Sequence, residues 1–148
     1  MRDYIRDGRA PIPEDETRSR IMSAIRGKDT KPELAVRTAL REIGLPGYRL
    51  HWKKAPGRPD IVYPGRRIAI FVHGCYWHRC PHCNPSLPKT HTDFWEKKFQ
   101  RNVERDARKQ KVLSEEGWKV FVFWGCQIKD DVFALVEKVK AYIEENQR

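Results

Sequence analysis

Residues 67–83 read RIAIFVHGCYWHRCPHC, and the change of character half-way along them decides the fold. Arg67–Val72 carries apolar side chains at successive positions, so both faces of an extended segment are greasy. That pattern belongs to a central strand covered on both sides. From His73 onward the chain turns polar and ligand-rich, with Cys75, Cys80 and Cys83 close together, His73 just before them and His78 and His82 between them.

Working outward, DIVY (60–63) precedes this strand across a Pro64-Gly65 turn, and YRLHW (48–52) gives a further short strand signal. KVFVFW (119–124) is a second segment expected to be buried on both faces. Thr30-Lys-Pro-Glu33 fits a capping box and opens a helix that carries Leu34, Val36, Leu40 and Ile43 to about Gly44. Thr17 caps a shorter helix stopped by Gly27. A long basic helix is expected over 93–116, with Trp95, Phe99, Val103 and Ala107 on its inner stripe, and a closing helix over 130–146. Residues 1–16, with Gly8, Pro11, Pro13 and mixed charge, read as a flexible arm. The order ααβββαβα over residues 17–148 predicts one α/β domain with a central sheet flanked by helices.

The 148 residues carry a formal net charge of +10, which favours a polyanionic partner. No apolar run approaches the roughly 20 residues needed to span a bilayer, and the charged start has no secretory core, so a cytoplasmic protein is expected. In that compartment the four cysteines read as metal ligands or as buried apolar fillers rather than as a disulfide framework.

Cys75, Cys80, Cys83 and Cys126 can supply a tetrahedral zinc site, with His82 a rival for one place. Four cysteine ligands leave no position for a metal-bound water, so such a zinc is structural. Asp60 follows a Gly-Arg-Pro turn and lies one hairpin away from Val72-His73; it reads equally as a Mg²⁺ ligand or as a turn residue capping its own backbone. His73 and His78 suit proton transfer, or else support the zinc site or sit at the surface. Glu33 closes its capping box or faces the site. Tyr76 and Trp77, on a pinned loop of a basic chain, are expected to be exposed and able to stack on bases.

Taken in order and spacing, TRSRIMSAIRGKDTKPE (17–33), PGRPDIV (56–62), IFVHGCYWHRCPHC (70–83), FWEKKFQRNVERD (94–106) and GWKVFVFWGC (117–126) resemble the very short patch repair (Vsr) endonucleases. The resemblance implies a restriction-endonuclease-like three-layer fold and a Mg²⁺-dependent nick in one strand of double-stranded DNA at a T:G mismatch left by 5-methylcytosine deamination. It implies Asp60 as metal-binding aspartate, His73 and His78 as catalytic histidines and Glu33 as the helix-start acid. It further implies Zn²⁺ on Cys75, Cys80, Cys83 and Cys126, and Met22, Tyr76, Trp77 and Trp95 as the residues that enter the base stack. The family often has threonine at position 72; a Mg²⁺ contact through the main-chain carbonyl survives as Val72. Cys80 stands where the family often has histidine. A monomer suffices for a single-strand nick. The rival readings are a nuclease of different mismatch or sequence preference and a non-catalytic zinc-stabilised DNA-binding module.

Overall fold

The computed structural model describes residues 30–146; the arm, the Thr17–Gly27 helix and Met22 lie outside the described residues. Within that range the elements are α1 (Lys31–Glu42), β1 (Arg49–Leu50), β2 (Ile61–Tyr63), β3 (Ile68–His73), α2 (Thr92–Glu115), β4 (Lys119–Trp124) and α3 (Gly125–Glu145). The strands form one mixed sheet in the order β1-β2-β3-β4, antiparallel except for the parallel β3–β4 pair.

Period-two alternation divides the strands between two cores. Ile61, Tyr63, Ile68, Ile70 and Phe123 pack on one face with Val36, Ala39 and Leu40 of α1 and Leu135, Val136 and Val139 of α3. Val62, Ala69 and Phe71 pack on the other face with Ala55 and Leu113, the latter on α2. Helices therefore cover both faces, and β3 is the interior strand the sequence predicts. Continuing its alternation, His73 falls on the same side as Phe71, 5.7 Å from it, and so toward α2.

Several expectations are corrected. β4 lies at the sheet edge, and of its side chains only Phe123 is fully buried. The inward stripe of α1 is Glu33, Val36, Arg37 and Leu40, while Leu34 is exposed. On α2 the stripe is Trp95, Phe99, Asn102, Asp106 and Leu113, while Val103 is exposed. In both helices buried polar groups, invisible to an apolar count, rotate the true phase. Helix α3 begins at Gly125, not at Asp130, because the chain turns directly out of β4; it breaks at Asp131 (φ −160°, ψ 87°), whose carboxylate accepts from Ala134 N–H at 3.1 Å as a second cap. The Pro64-Gly65 turn is one 3₁₀ turn, followed by Arg67 in the left-handed region at φ 54°. Among the described residues no helix is long and apolar enough to cross a membrane.

Candidate active site

The antiparallel register Ile61↔Ile70 carries Asp60, one residue before β2, to the end of β3. There the Val72 N–H donates to Asp60 Oδ2 at 2.7 Å. Burial pushes the Asp60 carboxyl up to about 6; Glu33 pushes in the same direction, and the Val72 hydrogen bond opposes them. A desolvated carboxylate with a second carboxylate beside it is a site that gains from a cation.

Glu33 occupies the first turn of α1 and is 2% exposed. Only half of the capping box forms: Thr30 Oγ1 accepts from Glu33 N–H at 3.4 Å, whereas the Glu33 side chain turns inward. Its Oε2 takes Arg37 Nη2 and lies 2.9 Å from His51 Nε2. Glu33, His51 and Asp60 offer ligand atoms within 4.8 Å of one another.

Behind Asp60, the imidazoles of His73 and His78 stack in parallel, 4.0 Å between centroids and 3° between planes. His78 Nδ1 is 2.6 Å from Asp106 Oδ2. Burial raises the Asp106 carboxyl, but the hydrogen bond and charge of His78 outweigh it and leave a net depression. His73 is 4% exposed and its Nδ1 is buried without a hydrogen-bond partner. Burial, and then His78, hold it down at about 4, so its ring is neutral near pH 7. An imidazole binds a metal through a lone pair in its own plane, so two rings stacked face to face cannot share one ion. The ligand atoms of His73, His78 and Asp106 lie within 4.8 Å of one another, and with the rings stacked this grouping suits hydrogen bonding and proton transfer at His78, whose Nδ1 meets Asp106, better than a shared ion.

The parallel pairing His73↔Trp124 sets Cys126, two residues beyond β4, beside Cys75, two residues beyond β3. All four cysteine sulfurs lie within 4.8 Å of one another; Cys80 and Cys126 Sγ are 3.7 Å apart, Cys75 and Cys83 Sγ 3.6 Å. Backbone N–H groups of His82 and Cys83 donate to Cys80 Sγ, and that of Cys126 to Cys75 Sγ. Side-chain hydrogen bonds with Cys126 and then Cys75 push Cys83 up to about 12. Such a donor set fits a thiophilic dication. The His82 ring lies outside this group, its Nε2 3.4 Å from Gln127 Nε2.

The same loop carries the aromatic residues. Tyr76 is 37% exposed, edge-on to Trp77 and Phe99 at 5.2 and 5.3 Å, with the Arg79 guanidinium over the Phe99 and Tyr76 rings. Trp77 is half-buried and its Nε1 has no hydrogen-bond partner. Trp95, 7% exposed, packs behind it at 5.7 Å. The expected exposure thus holds for Tyr76 and only in part for Trp77.

Residues 11–84 match the family model described as DNA mismatch endonuclease Vsr. The type II nicking enzyme V.XorIIP of Xanthomonas oryzae pv. oryzae is 47% identical over 115 residues, 78% of this chain and 84% of that one. The DNA mismatch endonuclease Vsr of Escherichia coli K12 is 40% identical over 121 residues, 81% of this chain and 76% of that one. The chain belongs to the Vsr DNA mismatch endonuclease family. Type II nicking enzyme V.NaeI of Lentzea aerocolonigenes, 37% identical over 142 residues, covers 93% of this chain and 84% of its own length.

As a Vsr-family protein the chain is a DNA endonuclease, and its structure brings together Glu33, Asp60, Val72, His73 and His78, all singled out in the sequence. It adds three that were not. Asp106 stood in plain view within NVERD, but a lone acid on a basic helix looks like a solvated face. His51 and Arg37 were absorbed into a strand and a helix pattern; their only signal was a polar residue where the apolar period left a gap.

Proposed function

We propose that this Vsr-family endonuclease nicks one strand of duplex DNA at a T:G mismatch of the kind left by deamination of 5-methylcytosine, opening a very short patch repair, on a restriction-endonuclease-like fold. The observation that carries the chemistry is the meeting, at one end of the sheet, of the desolvated Asp60 carboxylate with the His78–Asp106 pair. Asp60 and the main-chain carbonyl of Val72 would hold Mg²⁺, with Glu33 close by; when bound, the ion neutralises charge building on the scissile phosphate. His78, held in one tautomer by Asp106, takes the proton of the attacking water. The water oxygen bonds to phosphorus, the bond to the leaving oxygen breaks, and that oxygen regains a proton from solvent or from the imidazolium. His73 stays neutral and holds His78 in place by stacking.

Cys75, Cys80, Cys83 and Cys126 would hold Zn²⁺ as a structural pin, keeping His78 and the Tyr76-Trp77 pair on one rigid loop. Tyr76 leads the approach to the base stack, with Trp77 and Trp95 behind it and Met22 from the other groove; a wobble pair is easier to unstack than a matched one. Lys98, Arg101, Arg105 and Arg108 line one hollow on α2 and would track the phosphate backbone. A monomer completes this site.

The test is strand-specific nicking of end-labelled duplexes carrying each mismatch in turn, with and without Mg²⁺, by wild type and by His78→Ala. Cleavage confined to T:G, dependent on Mg²⁺ and lost in the variant is expected. Binding with no nick on any mismatch would overturn the catalytic reading. The relatives V.XorIIP and V.NaeI are named type II nicking enzymes, which supports a single-strand cut but leaves room for another flanking sequence, so the duplex panel also varies the neighbouring bases.

A further inference from the structure

Resting on the reading of a divalent cation at Asp60, we propose that Glu33 and the imidazole Nε2 of His51 complete that cation site. It is then a mixed oxygen–nitrogen centre that takes a first-row transition dication such as Mn²⁺ in preference to Mg²⁺. Three observations converge on this. The ligand atoms of Glu33, His51 and Asp60 all lie within 4.8 Å of one another. Glu33 Oε2 and His51 Nε2 are 2.9 Å apart; an octahedral dication with bonds of about 2.1 Å spaces neighbouring ligands by about 3 Å. The charge also calls for a cation: two carboxylates, Glu33 and Asp60, meet here, and among the described residues Arg37 pairs with Glu33. The sheet holds His51 there: its N–H donates to the Asp60 carbonyl at 3.0 Å, so ligand and backbone of the two residues are fixed together.

The donor types set the preference. Mg²⁺ favours oxygen and water, whereas imidazole nitrogen strengthens binding along the first-row series. His73 and His78 do not compete for this role, since their stacked planes exclude a shared ion.

The experiment is calorimetric titration of the full-length, zinc-loaded protein with Mn²⁺ and with Mg²⁺, for wild type, His51→Asn, His51→Gln and Asp60→Asn. Electron spin-echo spectroscopy of bound Mn²⁺ is run in parallel. Asparagine tolerates the positive φ of 47° at this position, and glutamine keeps more of the side-chain length, so the pair guards against a folding defect in either variant. Wild type is expected to favour Mn²⁺. The His51 variants are expected to lose about tenfold or more in Mn²⁺ affinity with little change for Mg²⁺, and to lose the nitrogen modulation from the bound ion. An unchanged ratio of the two affinities, or nitrogen modulation that persists, would overturn the inference. If Asp60→Asn also left both affinities at the wild-type level, the cation site itself would fall; if only the His51 variants were silent, the nitrogen donor alone would.

Discussion

Replacing Asp60 by asparagine is expected to abolish nicking and, in Mg²⁺-free buffer, to make the folded protein more stable. The side chain is half-buried and its carboxyl is pushed from 3.8 up to about 6, by burial first and by Glu33 after the opposing Val72 hydrogen bond. Between those two pH values the folded chain holds a proton that the unfolded chain has released, so stability falls as pH rises through this window. Above pH 6 the full penalty applies, about 3 kcal/mol for a shift of this size. Asparagine still accepts the Val72 N–H but carries no charge, and its weaker hydrogen bond offsets part of the gain. The expected increase is about 1–3 kcal/mol at pH 8 and smaller at pH 5. Urea unfolding of zinc-loaded wild type and variant at both pH values measures it. Saturating Mg²⁺ should then close the gap, because only the wild type gains binding energy at this position. A variant no more stable than wild type at pH 8, or a gain equal at the two pH values, would refute the reasoning.

Three further outcomes follow from the same geometry. Asp106→Asn frees the His78 tautomer and should lower the nicking rate by about 10²–10⁴-fold with DNA binding unchanged, as read by single-turnover kinetics beside a gel shift. Cys126→Ser breaks the tie between the loop and α3; zinc per chain, by atomic absorption, should fall below one, and the melting temperature should drop. Tyr76→Ala should weaken binding to the mismatched duplex by about 1–3 kcal/mol, the stacking worth of one ring, and should weaken binding to matched duplex less.

What the sequence disclosed, it disclosed through covalent nearness and apolar pattern. β3 was legible because Ile68 to Phe71 are apolar on both faces, and the cysteine cluster because three of its members share nine residues. Asp60 and Val72 could be paired because one tight hairpin joins them. Asp106 and His51 escaped because nothing local marks them: Asp106 is an ordinary polar residue until α2 is laid beside His78, and His51 until β1 pairs with β2 and α1 brings up Glu33. The phase of α1 and α2 was misjudged for the same reason, since Glu33, Arg37, Asn102 and Asp106 are buried for the site rather than for the core. β4 looked like an interior strand because its apolar run says nothing about which neighbour is missing.

One stripe of α2 backs the aromatic loop and the histidine pair in turn. Phe99 backs Tyr76, Asn102 Nδ2 donates to the Trp77 carbonyl at 3.2 Å, Asp106 holds His78, and Lys109 meets the Gly57 turn that leads to Asp60, where an added Cβ would stand 2.8 Å from the lysine's own. At about 1.5 Å of rise per residue, Phe99 and Asp106 stand about 10 Å apart along the axis. The helix is thus a shared splint: the aromatic loop and the proton-transfer pair lean on one rigid element, so a change that bends or shortens it would disturb both together.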